Sequence, residues 1–344
     1  MKILVPLDGS SLAEGVLPHT LTLAHACNLA HACNAQVTLL HVLEQGQVHG
    51  HSVDPLHWHF RKGERQRYLH ETSGRLQKCG LHVDYVLLEG PAAVRIIEYA
   101  RVHEVDLIIL SRYGQSGRGD WGISSVTRKV MQCANTSIML VPACQQRDRR
   151  RAAGRYRRIL VPLDGSWRAE CGLPLATNLA RYGQAKLDLA HVVVRPHVFH
   201  PLSATAEDTR VVGQFVERNL AEAAKYLEQL RARLPVESET CLLTGHDVTN
   251  ALHDLVEQRG IDLVLLSAHG HSCDTQRPFG TVVSNFISYS SAPLLIKQDL
   301  LPQQIRMTGA ETAANVPENV DRRWQVTNAR SRPNKTVIEH PIPF

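Results

Sequence analysis

Short apolar runs alternate with longer amphipathic segments along most of the chain. The run at residues 263–266 is unbroken and bounded by polar residues, which suits a strand of a parallel sheet that is covered on both faces. Runs of the same kind occupy residues 3–7, 37–43, 83–88, 107–110, 137–141, 159–163, 187–194, 236–243 and 294–296. Between them, apolar residues recur at helical spacing. Strands that alternate with helices predict an α/β fold, with right-handed crossovers and two tandem, doubly wound, five-stranded parallel sheets of the Rossmann-like type.

The second half of the chain repeats the first. The segment KILVPLDGS at Lys2 recurs as RILVPLDGS at Arg158, an offset of 156 residues (2 against 158). The segment DLIILS at Asp106 recurs at the same offset as DLVLLS at Asp262 (106 against 262). One offset near both ends of each copy indicates one fold that is used twice. Because Asp106 and Asp262 precede buried strands, we interpret them as turn residues and not as catalytic acids.

The repeat predicts four segments along the chain. We expect the first domain at residues 1–143, an arginine-rich linker at 144–157, the second domain at 158–297 and a polar tail at 298–344. The tail contains proline and has no sustained period, so we expect it to be extended or disordered.

An internal duplication interrupts the register in the first copy. The six residues LAHACN occur twice in succession at residues 23–34, which explains why His41 and His191 correspond at an offset of only 150 residues. Six extra residues turn a helix by about 600°, so the first helix is expected to be longer or irregular in this copy. Cys27 and His31 have a spacing that suits a metal site on a helix, but they arise from the duplication, and we predict no metal site.

Several residues refine the predicted helices. Ser10 or Ser11 is placed to cap the first helix, and Pro18, repeated as Pro174, is expected to kink it. Gly245 and the residue after it are expected to open another helix in the second copy.

A histidine-rich stretch follows the second strand. We expect its histidines to lie in a solvated loop, with adventitious binding of a transition metal as the alternative. They are His49, His51, His57 and His59. A helix through Tyr68 and Leu76 is expected to follow.

Composition narrows the class of protein. With 43% hydrophobic residues the chain can build two cores, and no apolar run approaches the roughly 18–20 residues of a membrane span. The chain begins with a strand and no basic and apolar leader, so no export signal is predicted. The eight cysteines lack a framework spacing, which favours free thiols in a reducing cytoplasm. The net charge of +5 is modest and lies largely in the linker, so nucleic acid is not an expected partner.

Two motifs are expected at one edge of each sheet. In the second copy Gly270 follows the fourth strand, and Gly280 and Thr281 begin the next helix, whose first backbone amides can bind phosphate. Asp164 leaves the first strand at the same edge. Ligands bind beyond the carboxyl ends of such strands where the strand order reverses, so both motifs should face one crevice. The first copy has Asp8, Gly114, Ser124 and Ser125 at these positions, and Ser124 or Ser125 is expected to cap the helix there.

The motifs VPLDGS after the first strand, LLHV at the second, and a late loop close to G-2x-G-9x-G-(S/T) resemble the universal stress protein family. The resemblance covers residues 1–297 as two tandem copies. It implies a cytoplasmic protein of the stress response that binds ATP or another adenine nucleotide, with or without magnesium. It also implies that the two domains pack as a pseudo-dimer, with homodimerisation left open.

The family pattern assigns a role to each matching residue. In the family the aspartate and the valine contact adenine, while the loop glycines and the Ser/Thr at the helix start hold ribose and phosphates. The matching residues are Asp8, Val42, Gly114, Ser124 and Ser125 in the first copy and Asp164, Val192, Gly270, Gly280 and Thr281 in the second.

Three departures from the pattern keep a second function open. The first loop glycine is replaced by Ser111 and Ser267, and the third is replaced by Ser124 in the first copy. The loops have no Gly-Lys-(Ser/Thr), so neither is a Walker loop. Neither carries the base or the metal carboxylates that a phosphotransferase needs, so no catalytic residue is assigned, and slow ATP turnover stays open. The alternative is an interaction scaffold of the stress response without a bound nucleotide.

Overall fold

The structure is a computed structural model, and it describes residues 1–29, 34–44, 55–114, 123–142, 155–196, 206–271 and 278–299. The chain divides into two compact units, of which unit 1 contains Met1–Arg147 and unit 2 contains Asp148–Ile305. Most of the predicted linker and nearly all of the predicted tail lie outside the described residues.

Unit 1 alternates strands and helices. Its elements are β1 (Lys2–Pro6), α1 (Ser11–Glu14), α2 (Leu17–Leu29), β2 (Gln36–Leu43), α3 (Pro55–Gln77), β3 (His82–Glu89), α4 (Ala92–Val102), β4 (Leu107–Ser111), α5 (Ser125–Cys133) and β5 (Ser137–Val141). The strand order is β3-β2-β1-β4-β5, and neighbouring strands are parallel. The order therefore reverses between β1 and β4.

Unit 2 has the same architecture. Its elements are β6 (Arg158–Pro162), α6 (Trp167–Glu170), α7 (Leu173–Gly183), β7 (Lys186–Val194), α8 (Ala206–Arg233), β8 (Ser238–Gly245), α9 (Val248–Arg259), β9 (Leu263–Ser267), α10 (Thr281–Tyr289) and β10 (Leu294–Lys297). The order is β8-β7-β6-β9-β10, again parallel, and it reverses between β6 and β9. The predicted α/β fold, with five parallel strands in doubly wound order in each copy, is confirmed.

The strands beside each reversal point are buried on both faces. Ile108 and Ile109 of β4 and Leu263 and Val264 of β9 are all 0% exposed. Alternation of inward and outward residues is therefore absent, as expected for parallel strands with helices on either side. The carboxylates of Asp106 and Asp262 precede these strands and hold the first strand of each unit. Asp106 accepts a hydrogen bond from the Lys2 backbone N–H (2.7 Å), and Asp262 from the Arg157 N–H (2.7 Å).

At the two places where a kink is predicted, Pro18 and Pro174, the structure has a complete break between two helices. Each proline is the second residue of the helix that follows the break. Helix α1 ends at Glu14 and α2 begins at Leu17, while α6 ends at Glu170 and α7 begins at Leu173. Proline lacks a backbone N–H, and the first turn of a helix does not need that donor. Within the described residues α2 has 13 residues and α7 has 11, and residues 30–33 of the duplication lie outside them.

Two predicted boundaries are wrong. Helix α3 begins at Pro55, so His57 and His59 lie on a helix and not in a loop, because proline is suited to a helix start. His49 and His51 lie outside the described residues. Strand β8 extends to Gly245, and the next helix is capped by Asp247, whose Oδ1 accepts from the Thr249 N–H (2.8 Å).

No helix in the described ranges combines the length and the apolar character that crossing a bilayer requires.

Candidate functional site

The aspartate and the loop glycine of unit 2 lie against each other. Asp164 follows β6 and Gly270 follows β9, and these strands are neighbours in the sheet. Asp164 Oδ2 accepts a hydrogen bond from the His271 backbone N–H (2.7 Å). A Cβ atom added at Gly270 would collide with the same oxygen, so this close approach requires glycine. The structure thus brings Asp164 and Gly270 together at the carboxyl edge of the strands.

The Asp164 carboxylate is held as an anion. Burial by itself raises its pKa, but hydrogen bonds from Ser166 and His271 lower it by more, so the pKa lies below its usual value. Oδ1 accepts from the Ser166 backbone N–H (3.0 Å) and from the Ser166 hydroxyl (2.6 Å). Ser166 in turn caps α6 by accepting from the Ala169 N–H (3.2 Å). A ligand can therefore approach this carboxylate with an N–H or O–H donor but not with a phosphate.

Unit 1 repeats the arrangement with Asp8 and Gly114. Asp8 Oδ1 accepts from the Ser10 N–H (2.8 Å), and Ser10 caps α1 as predicted. A Cβ atom added at Gly114 would lie 2.5 Å from Asp8 Oδ2. The loop after Gly114, residues 115–122, lies outside the described residues.

The two valines lie on the strands beside the aspartates. Val42 is in β2, which pairs with β1, and Val192 is in β7, which pairs with β6. Both side chains are half-buried near the carboxyl ends of their strands. The residue before Val42, His41, donates from Nδ1 to the Leu7 carbonyl (2.7 Å) and so ties β2 to the residue that precedes Asp8. The sequence assigned no role to this histidine.

Burial lowers the pKa of His41 to about 4 from 6.5. The charges of Arg65 and Arg61 lower it further, while the Leu7 hydrogen bond and the charge of Asp8 oppose the shift. A histidine with a depressed folded-state pKa binds fewer protons in the folded than in the unfolded state between about pH 4 and 6.5. Its contribution to stability is therefore complete above pH 6.5 and is lost as the pH falls through that window.

We expect acid to destabilise unit 1 through its buried histidines. The linkage relation gives a loss on the order of 2 kcal/mol per histidine near pH 5 for a shift of this size. His19 contributes with the same sign, because burial also lowers its pKa to about 4. Urea unfolding of the wild type and of His41→Asn at several pH values should show a shallower pH dependence in the variant. The control is His82→Asn, whose side chain is 54% exposed. Identical pH dependence in wild type and His41→Asn would contradict the assignment.

The helix that follows each loop starts differently in the two units. Gly280 is the N-cap of α10, and no side chain caps that helix. Thr281, its first residue, is exposed. Backbone amides in an uncapped first turn form a site for an anion.

In unit 1 a side chain of the protein caps the start of the corresponding helix, α5. Ser124 is the N-cap of α5, and its Oγ accepts from the Thr127 N–H (3.1 Å) and donates to Thr127 Oγ1 (2.9 Å). Ser124 is buried, whereas Ser125, the first helical residue, is exposed. The replacement of the family glycine by Ser124 therefore uses one of the amides that an anion would need.

A buried ion-pair chain holds the loop of unit 2, and the sequence did not indicate it. The side chain of Asp299 is 0% exposed. Its Oδ1 accepts from His269 at the backbone N–H (3.1 Å) and at Nδ1 (2.9 Å), and its Oδ2 accepts from Arg168 Nη1 (2.8 Å). His269 directly precedes Gly270. Asp299 lies beyond the predicted domain end at 297, and the repeat could not reveal it because the first copy has Ala143 at the matching position.

The described residues contain no group of three or more His, Cys, Asp and Glu side chains that could hold a metal ion. Of the duplicated residues considered as metal ligands, Cys27 is buried with its thiol 3.5 Å from the Met1 sulfur. His31 lies outside the described residues.

Comparison with known proteins decides the family. Residues 1–142 and 155–297 each match the model of the universal stress protein family. The chain belongs to this family. A universal stress protein of Methanocaldococcus jannaschii is 26% identical over 143 residues, which is 41% of this chain and 81% of its own length.

A solved universal stress protein shares the fold. That structure, from Archaeoglobus fulgidus, superposes with a TM-score of 0.58 at 16% identity, covering 87% of this chain and 98% of its own. A universal stress protein solved in complex with cAMP matches 42% of this chain and 99% of its own at 20% identity, with a TM-score of 0.29.

Proposed function

We propose that this universal stress protein binds an adenine nucleotide at the carboxyl edge of one or both sheets and acts in stress response or signalling. The observation that supports it most is the contact between Asp164 and Gly270 beside the uncapped start of α10. The proposal is supported by the family pattern, in which the residues that match these positions hold adenine, ribose and phosphates. ATP or another adenine nucleotide, alone or with magnesium, is the ligand class that we propose.

The charges of the unit 2 site suit a ligand with two different ends. The Asp164 anion accepts hydrogen bonds, as from an adenine amino group or a ribose hydroxyl. The amino end of α10 attracts negative charge, which is worth about 0.3–1 kcal/mol at an exposed helix end. A nucleotide carries donors at one end and phosphate at the other, so both preferences are met by a single molecule.

A second function is favoured by one observation in unit 1. Ser124 already caps α5, which weakens the main-chain anion site there. An interaction scaffold without bound nucleotide would have no need of an open helix start.

Purification of the full chain without added nucleotide tests the proposal directly. Small molecules released on denaturation are identified by mass spectrometry, and thermal shifts are recorded with AMP, ADP, ATP and cAMP, each with and without magnesium. A ligand at 100 times its Kd stabilises the folded state by about 2.7 kcal/mol. The absence of a co-purified adenylate, together with the absence of a thermal shift with any of the four nucleotides, would refute nucleotide binding. The interaction scaffold would then be the remaining function.

We expect Gly280→Val to weaken binding in unit 2 without unfolding it. A Cβ atom at Gly280 would meet the Ala268 carbonyl oxygen at 3.6 Å, which is ordinary contact, while the branched side chain would cover the first amides of α10. Losing one charge-assisted hydrogen bond lowers affinity about tenfold.

The matched variant for this position is Gly280→Ser, which copies Ser124. Helix capping by the serine should keep the free energy of unfolding of unit 2 or raise it by a few tenths of a kcal/mol. Its effect on affinity should be smaller than that of valine. Calorimetric titration measures both variants against the wild type. Unchanged affinity in Gly280→Val would place the ligand elsewhere.

A further inference from the structure

A single buried carboxylate joins the two walls of the unit 2 crevice. One wall is α6 with its cap Ser166, and the other is the loop after β9 that contains Gly270. Asp299 Oδ2 accepts from Arg168 Nη1 of α6 (2.8 Å), and its Oδ1 accepts from His269 of the loop at the backbone N–H (3.1 Å) and at Nδ1 (2.9 Å). The two walls are therefore connected through one side chain.

Asp299 holds the same two segments as Asp164, the aspartate of the candidate site. Asp164 accepts from the Ser166 N–H (3.0 Å) on one wall and from the His271 N–H (2.7 Å) on the other. The two partners of Asp299 each lie two residues along the chain from one of these donors. Asp164 is exposed, whereas the side chain of Asp299 has no exposed surface. Asp299 can therefore hold both walls while Asp164 accepts a hydrogen bond from a ligand.

The bridge through Asp299 is charged and buried. Burial raises the pKa of Asp299, but hydrogen bonds from His269 and Arg168 lower it by more, so the pKa lies below its usual value. Removing such a carboxylate leaves buried donors without their acceptor, which costs far more than losing an ion pair on the surface. The bridge therefore restricts the positions of both walls more strongly than a surface ion pair would.

Unit 1 lacks the side chains of this bridge. At the 156-residue offset of the repeat, its three positions carry uncharged residues, namely Leu12 for Arg168, Tyr113 for His269 and Ala143 for Asp299. The backbone link nearby is the same in both units. Arg112 N–H donates to the Val141 carbonyl (2.8 Å), and Ala268 N–H donates to the Lys297 carbonyl (2.8 Å). Unit 2 thus adds a side-chain bridge to a backbone arrangement that the two units share.

We propose that Asp299 is a positioning residue of the unit 2 crevice, which fixes α6 and the Gly270 loop relative to each other and thereby sets the affinity for the ligand. This inference rests on the proposed function for the identity of the ligand. Walls that are fixed before binding spare the ligand the free energy of ordering them. If the aligned arrangement falls from nearly full occupancy to about a tenth, the apparent affinity falls about tenfold.

The test uses the full chain with Gly114→Ala, so that unit 2 dominates binding, and calorimetric titration with AMP, ADP and ATP. Asp299→Ala should lower the affinity about tenfold. Arg168→Leu copies the residue of unit 1 and releases only α6, and it should also cost about tenfold. The double variant should bind as Asp299→Ala does, because both changes break one bridge, whereas independent effects would multiply to roughly 100-fold. A 100-fold loss in the double variant would contradict a shared bridge.

A matched variant separates positioning from stability. Asp188→Ala removes another aspartate of unit 2 whose side chain is 0% exposed and which pairs with two arginines, near the amino end of β7. It should destabilise the unit and leave nucleotide affinity unchanged. An affinity loss as large as that of Asp299→Ala would show that affinity follows stability alone, against the inference. If Asp299→Ala does not fold, Asp299→Asn replaces it, since asparagine keeps an oxygen for the His269 N–H and loses the charge.

Hydrogen–deuterium exchange without nucleotide tests the bridge independently of any ligand. In the Asp299 variant, the peptides that contain α6 and His269 should both exchange about tenfold faster, because each segment loses a charge-assisted hydrogen bond. The same measurement on Asp188→Ala should leave both peptides as in the parent. Faster exchange in the His269 peptide alone would show that Asp299 holds only one wall, and the inference would fail.

The outcomes distinguish this inference from the proposed function. Unchanged affinity in both the Asp299 variant and Arg168→Leu would overturn the inference and leave nucleotide binding intact. Nucleotide binding by the wild type but not by the Gly114→Ala parent would also overturn it, because unit 2 would then have no ligand to position. Absence of nucleotide binding by the wild type would refute the proposed function instead, and the exchange measurement would decide whether Asp299 fixes the two walls.

Discussion

Replacing Asp188 with alanine is expected to destabilise unit 2 by about 3 kcal/mol, because it removes the fully buried carboxylate that two arginines share. Both arginines then keep only their ion pairs with Glu239, whose side chain is 40% exposed. Asp188 lies near the start of β7 and its side chain is 0% exposed. Its oxygens accept from Arg158 at Nε (2.9 Å) and Nη2 (2.6 Å) and from Arg259 at Nη1 (2.7 Å). Removing one partner of a buried ion pair costs about 3–5 kcal/mol, and the lower end applies because the arginine side chains are 28% and 34% exposed.

Urea unfolding followed by circular dichroism measures this effect. The matched control is Glu237→Ala, which removes a carboxylate whose side chain is 75% exposed. This carboxylate pairs with Lys186, which lies on β7 as Asp188 does. That surface pair should contribute less than about 1 kcal/mol. Nucleotide affinity should stay unchanged in Asp188→Ala, because Asp188 is near the amino end of β7 and Val192 is near the carboxyl end. A loss of stability no larger than that of the control would show that the two arginines do not depend on Asp188.

Replacing Gly270 with alanine is expected to abolish most ligand binding in unit 2. The added Cβ atom would collide with Asp164 Oδ2, so either the loop or the carboxylate must move, and the hydrogen bond from the His271 N–H would be strained or lost. Overpacking of this kind costs about 1–3 kcal/mol. If the ligand requires the native arrangement, its affinity falls by roughly 10- to 100-fold.

Calorimetric titration of Gly270→Ala and of its counterpart Gly114→Ala measures each crevice in turn. The control is Gly213→Ala in α8, where an added Cβ atom meets nothing within 4 Å. That variant should gain up to about 1 kcal/mol of stability, since alanine favours a helix over glycine, and should bind as the wild type does. Wild-type affinity in Gly270→Ala would remove this loop from the site.

The sequence by itself determined the order of elements and the repeated fold. Apolar runs of five or so residues, separated by amphipathic segments, specify buried parallel strands because only such strands have both faces covered. Helix caps could also be predicted, because they depend on residues close together in the sequence. Ser10 and Ser124 each accept a hydrogen bond from the backbone amide three residues later. The contact of Asp164 with the Gly270 loop could also be anticipated, since both residues leave neighbouring strands at the carboxyl edge. The nucleotide-binding roles of these residues stay a prediction.

Only the tertiary structure decided which distant side chains form ion pairs and which charges surround that edge. Arg168 and Asp299 are 131 residues apart and Asp188 and Arg259 are 71 apart, and no local pattern links them. The Arg65 guanidinium of α3 lies against Gly9, and this contact depends on where α3 starts and how it packs. The histidine-rich stretch concealed that start. Strands and caps are set by interactions within a few residues, which the sequence displays directly. Ion pairs and crevice charges are set by how helices pack on the sheet, and that packing brings together residues that the chain keeps far apart.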